Sequence, residues 1–170
     1  GNLGTHPMNR MVFMQCFSVF EAYLCDRYLN LVFLCDKTML MFVENHKQLK
    51  STTLSILSLF EQKGKKVEDL IEMQITKSIK DTLFHNFSKA VTLFGIYEAA
   101  LFASKDHKDL LFDAAQLRHH CVHRNGRDKD GNELANFTPE YIETVAKAMK
   151  ETAASLEVAI SKCEDKILPF

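Results

Sequence analysis

Three of the chain's seven histidines fall within five residues, in the run Arg118-His119-His120-Cys121-Val122-His123-Arg124-Asn125-Gly126. Arg118, Arg124, Arg127 and Lys129 make the same stretch the densest positive charge in the sequence. These are the residue types a metal-free RNA-cleaving site needs. Arginine stays charged and grips phosphate oxygens with two parallel hydrogen bonds, favouring the charge that builds at phosphorus. Histidine titrates near neutrality, so it can take the proton of a 2′-hydroxyl or give one to a leaving oxygen.

The spacing says where on a helix these groups stand. At about 100° per residue, Leu110, Ala114, Leu117 and Cys121 centre a buried face. Arg118 is then expected about 70° to one side, with His119 and His123 on the far, exposed side. His119 and His123 are four apart and therefore neighbours. Arg118 and His123 lie about 140° apart, bordering one polar face without stacking. A second copy of the helix, related by a two-fold axis, would bring two such pairs into one groove, so the expectation is a homodimer.

The same residues have plainer readings. An arginine held in a salt bridge and a surface histidine are ordinary at a helix C-terminus, where positive charge is favoured. His119 is either support for the reaction or a solvated neighbour, and His120, on another face, is structural or exposed. His119 and His123 have the spacing of a helical metal pair, but no Glu follows His119 and the next residues supply cations, so no metal is expected. Glu21, just off the stripe of the first helix, reads either as an ordinary edge carboxylate or as a group reaching this site, the first being favoured. Nothing resembles a phosphate-binding glycine loop, a nucleophile elbow or a dinucleotide fingerprint.

The elements that must position these groups are helical throughout. From about Asn9 to Leu34, the residues Phe13, Phe17, Phe20, Leu24, Tyr28 and Leu31 make one apolar stripe. Some of this unusually apolar segment is expected to bury against a second chain. A second segment runs through Met39, Phe42 and Val43 toward Lys50. Between Thr52 and Phe60, Leu54, Ile56 and Leu57 fit a short helix or a strand, helix being preferred. Gly64 stops that segment, with Lys63, Lys65 and Lys66 solvated around it. Helices follow on Val67, Ile71, Ile75 and Ile79, and on Phe84, Phe87, Val91, Phe94 and Ala99. Ser104 or Asp106 caps the Arg/His helix, Asn125-Gly126 ends it, and 127–136 is a polar loop. Thr138-Pro139 opens a last helix on Ile142, Val145, Ala146, Met149 and Leu156. The expectation is one all-α domain over 1–170, a bundle of five or six helices.

Composition bounds the function. Of 170 residues, 46% are apolar and 25% charged, with 21 Lys and Arg against 22 Asp and Glu, which excludes a polybasic nucleic-acid coating protein. The balance is uneven: 118–129 holds four cations and three histidines against one acid, while 132–170 holds seven acids against four lysines. Five cysteines form no CxxC pair and read as small core hydrophobes in a reducing compartment. No stretch reaches the roughly 18 to 20 apolar residues that span a bilayer, and Gly1-Asn2-Leu3-Gly4 lacks the start of a signal peptide. A cytoplasmic protein with no cofactor and no membrane partner is expected.

Arg-x4-His at a helix end, continuing as His-Arg-Asn-Gly, resembles the RNase motif of HEPN domains (higher eukaryotes and prokaryotes nucleotide-binding). Phe20-Glu21-Ala22-Tyr23-Leu24 resembles that family's opening in its long first helix. Phe84-His85-Asn86-Phe87-Ser88-Lys89-Ala90-Val91-Thr92-Leu93-Phe94 resembles the Phe-rich middle helix of the subgroup with the RiboL-PSP and ApeA-like domains. The resemblance implies an all-α, dimeric domain and a metal-independent endoribonuclease of toxin–antitoxin or antiphage type. Arg118 and His123 would be catalytic, with His119 in support and Glu21 the weakest candidate. Arg124, Asn125 and Arg127 would contact RNA, and an antitoxin or sensor protein would restrain the activity. The family also contains inactive members, so a non-catalytic helical module for nucleotide or protein binding and dimerisation is the alternative. A further possibility is one domain of a larger defence protein.

Overall fold

A computed structural model describes residues 3–53, 55–82 and 84–168. Its α-helices are α1 (Pro7–Val32), α2 (Asp36–Asn45), α3 (Lys47–Lys50), α4 (Ile56–Glu61), α5 (Val67–Lys80), α6 (Phe87–Gly95), α7 (Lys105–Arg124) and α8 (Pro139–Ile167), after a 3₁₀ turn at Leu3–Thr5. Among the described residues no strand forms, and the only β-type pairing is an isolated bridge between Arg127 and Glu133. The protein is all-α. The tally exceeds the expected five or six because the segment toward Lys50 breaks at His46, and because α3 and α4 are only four and six residues long. Leu54 lies outside the described residues.

The backbone gathers into two compact units, one of Gly1–Leu24 with Phe84–Phe170 and one of Cys25–Leu83. In the first, Phe13, Phe17, Phe20 and Leu24 of α1 are all buried, as their steps of three and four require. Phe87 is the centre of this core: its ring lies 6.3 Å from Phe17, 6.1 Å from Phe20, and 5.8 Å from both Phe102 and Phe112. Each such ring pair adds about 0.5–1.5 kcal/mol beyond area burial. The helix α8 closes the unit through Ile142, Val145, Met149 and Leu156, with Ala148 taking the inward place expected of half-buried Ala146. Tyr23 ties α1 to α8: its hydroxyl donates to Glu157 Oε1 at 2.7 Å and lies 3.2 Å from the Ala153 carbonyl, which can share the one proton.

Two expected stripes are shifted. On α6 the buried residues are Phe87, Ala90 and Phe94, and Val91 is exposed. Ala90 moves the centre of the buried face away from Val91, leaving the valine on the rim. On α5 of the second unit, Val67 and Ile71 are exposed while Leu70, Ile75 and Ile79 are buried. A constant step of four drifts about 40° per step, so four such residues cannot share one face.

The second unit has its own core of Tyr28, Leu31, Val32, Phe42, Leu70, Ile75 and Ile79. The junction of α2 and α3 is set by His46, whose Nδ1 accepts the Leu49 N–H at 3.3 Å to cap α3. The ring proton then sits on Nε2, which lies 3.0 Å from the Ser78 hydroxyl on α5. Ile56, Leu57 and Phe60 of α4 are exposed.

Candidate functional site

All of the candidate residues belong to the first unit. The helix that carries most of them is closed at both ends by side-chain chemistry. Ser104 Oγ accepts the His107 N–H at its start. At its end Asn125 turns left-handed at φ 49° and Gly126 follows at φ 75°, with the Gly126 N–H returned to the His120 carbonyl at 3.1 Å. Arg10 of α1 seals this end, its Nη1 donating to the Asn125 carbonyl at 2.7 Å and lying 3.8 Å from Glu133. Gly126 is needed twice, for its positive φ and because a Cβ there would sit 2.7 Å from Arg10 Cδ and closer still to its Nη1.

The inward face of α7 is not the one expected. Leu111, Ala114 and Cys121 are buried, while Leu110 and Leu117 are half-buried. With steps of three, four and three, the residue between Ala114 and Cys121 on this face is Arg118. Arg118 therefore lies in the buried stripe rather than beside it, and its side chain is only 20% exposed. The expected shared polar face with His123 is lost, since His123 and His119 are both exposed.

Arg118 tolerates this position because α1 presents a carboxylate to it. Arg118 Nη2 lies 3.6 Å from Glu21 Oε2, and the other oxygen of Glu21 lies 2.8 Å from His85 Nδ1. Glu21 is thus no idle edge carboxylate but the bridge between a guanidinium and an imidazole. The three side chains are each 20–27% exposed. At 3.6 Å the Arg118 contact is an ion pair rather than a hydrogen bond. Among the described residues no hydrogen bond takes any of its guanidinium N–H donors, so they remain available to a ligand.

His85 stands in the turn before α6, between buried Phe84 and Phe87, with Asn86 Oδ1 capping the helix by accepting the Lys89 N–H at 3.2 Å. Sequence reading placed no role on His85. Its flanking aromatics and the following Asn mark a pinned helix start, but its partner is 64 residues away.

On the outer face, the His119 and His123 rings meet at a centroid distance of 4.5 Å. The His119 imidazole is held below the usual histidine value, by lost hydration first and then by the cationic neighbours His123, Arg124, His120 and Arg118. His120 faces Arg124, whose Nη1 is 2.9 Å from its Nδ1. A guanidinium only donates, so Nδ1 is the acceptor and the His120 proton resides on Nε2. Burial pushes the Cys121 thiol up to about 11, against a smaller opposing pull from Arg10. A thiol raised in this way favours its protonated form at neutral pH, which makes it a poor nucleophile.

The residues expected to contact RNA are partly engaged within the chain. Arg124 is taken up with His120, and the Asn125 carbonyl with Arg10. Arg127 Nη1 donates to the Gly131 carbonyl at 2.9 Å in a loop organised by Asp128, which accepts the Asn132 and Asp130 backbone N–H groups at 2.8 Å each. Among the described residues no group of three or more His, Cys, Asp or Glu could hold a metal ion. An apolar groove of about 520 Å³ between α1 and α8 is lined by Val12, Cys16, Val19 and Met149 among others, with Tyr23 and Lys150 at its wall, and contains none of the candidate residues. No helix among the described residues is long and apolar enough to cross a membrane. No family model, curated protein or solved structure matches the chain.

Proposed function

We propose that this chain is a HEPN-type, metal-independent endoribonuclease acting in the cytoplasm in a toxin–antitoxin or antiphage role. The observation that carries the reading is Arg118: a guanidinium steered by Glu21, partly open to solvent, with its side-chain hydrogen-bond donors uncommitted among the described residues, and exposed imidazoles one and five residues further along the helix. In the reaction a 2′-hydroxyl attacks the adjacent phosphorus. Arg118 stabilises the phosphorane charge, His123 moves a proton as base or acid, and 2′,3′-cyclic phosphate and 5′-hydroxyl ends result. Arg118 and His123 leave α7 on sides about 140° apart, so one phosphate is best served by the Arg118 of one copy and the His123 of another. This supports a two-fold homodimer. RNA is the substrate, and an antitoxin or sensor protein is the natural restraint.

One observation favours the alternative of a non-catalytic helical module for nucleotide or protein binding: Arg118 already has a carboxylate partner in its own chain. Cleavage assays in chelator separate the two. The endoribonuclease reading expects RNA to be cut to cyclic-phosphate ends, with rates falling about 10²–10³-fold in both Arg118→Ala and His123→Ala. Cleavage that survives either substitution, or that needs a divalent ion, removes it.

A further inference from the structure

We infer that His85 is the general base of this site, held for that task by Glu21; the inference rests on the endoribonuclease reading. It starts from the bridge. An ionised carboxylate only accepts hydrogen bonds, so at 2.8 Å from Glu21 Oε1 the His85 Nδ1 carries the proton. In the neutral ring the lone pair is then on Nε2, which has no hydrogen-bond partner among the described residues. Carboxylate, Nδ1–H and free Nε2 are the arrangement that fixes an imidazole's tautomer and aim for proton abstraction.

The placement fits the chemistry better than His123 alone does. The other oxygen of Glu21 holds Arg118, so the ring that takes a proton and the cation that meets the phosphate are bracketed by one carboxylate in one chain. His123 leaves the opposite side of α7 and is exposed. His85 is 27% exposed, open enough to be reached yet flanked by two buried phenylalanines that pin its backbone.

The step balances. His85 Nε2 takes the proton of the 2′-hydroxyl as the O2′ lone pair forms a bond to phosphorus. The P–O5′ bond breaks with its electron pair going to O5′, which takes a proton from a protonated His123 of the second copy. The products are the cyclic phosphate, the 5′-hydroxyl, a protonated His85 and a neutral His123, and both rings re-equilibrate with water. The two imidazoles thereby have separate tasks, base and acid.

His85→Asn separates base from brace, because the Asn amide N–H can replace Nδ1–H toward Glu21 while nothing replaces Nε2. The substrates are an RNA oligonucleotide and the 4-nitrophenyl ester of uridine 3′-phosphate, whose leaving group needs no proton, both in chelator. His85→Asn is expected to lose about 10²–10³-fold in kcat on both substrates with little change in KM, and to lose the acid limb of the kcat/KM pH profile. His123→Ala should be slow on RNA and recover on the nitrophenyl ester. Added imidazole should restore activity to His85→Gly, which a structural role would not allow. His85→Asn within threefold of wild type on RNA, or a loss that leaves the acid limb intact, overturns the assignment while leaving the endoribonuclease reading standing. A wild-type protein that cleaves neither substrate overturns both.

Discussion

The two faces of α7 hold their basic groups by different means. On the inner face, Arg118 is placed by a partner on another helix, 97 positions earlier in the chain, and sits among Leu111, Ala114 and Cys121. On the outer face, His119 and His123 meet each other's rings at 4.5 Å, His119 also meets the His120 ring at 6.1 Å, and both are exposed to solvent. A charge set into a core face is oriented, but it depends on its counter-charge, and removing either partner leaves the other poorly compensated. A side chain on an open face makes few packing contacts, and its loss costs the fold little. Chemistry that needs a fixed cation and an exposed proton donor would find one on each face.

The strongest way to break this contrast is to truncate one residue on each face. Both Arg118→Ala and His123→Ala should lose cleavage by factors of about 10²–10³, yet only Arg118→Ala should lower the melting temperature by several degrees. Equal melting temperatures in the two variants would show that the inner pairing contributes nothing. Glu21→Gln comes next. It keeps the shape and removes the charge, so its cost should fall between the roughly 1 kcal/mol of an exposed pair and the 3–5 kcal/mol of a buried one. Denaturant titration measures it, and a value near zero would make the bridge ornamental.

A smaller effect is expected of Gly126→Ala at the end of the same helix. A side chain at φ 75° displaces Arg10, at about 1–3 kcal/mol, and unfolding experiments on Gly126→Ala and Arg10→Ala should prove non-additive. The smallest effect concerns the outer face. His119 is depressed in the folded protein, so below the unfolded value near 6.5 the unfolded chain binds more protons. Its contribution to stability is present above that pH and is lost as the pH falls toward the folded value. His119→Gln should flatten the decline in melting temperature on the acid side of neutrality, and an unchanged slope would place the titration elsewhere.

Much of this arrangement is legible in local patterns. The six residues of the α1 stripe are all buried, Thr138-Pro139 opens α8 with the Thr138 hydroxyl capping Tyr141 N–H, and Asn125-Gly126 ends α7 in the left-handed region. The face of α7 is where local pattern fails. Leu110-Ala114-Leu117-Cys121 and Leu111-Ala114-Arg118-Cys121 share two members, and hydrophobicity alone prefers the first because it has no charge in it. What selects the second is Glu21, a long-range partner that no helical period reveals. His85 was invisible for the same reason: a single imidazole acquires meaning only from the carboxylate that another helix brings to it.

The helix α1 meets α7 at two charged points, Arg10 at the Asn125 carbonyl and Glu21 at Arg118. Along α1 these lie roughly 16 Å apart, and they engage α7 in reverse order, so the pair works as a two-pin locating jig. One pin would permit rotation about it, and none would permit sliding; two fix the helix's axial position and its roll together. The more accessible pin is Glu21, and its loss would leave Arg118 and His85 without their shared partner at once.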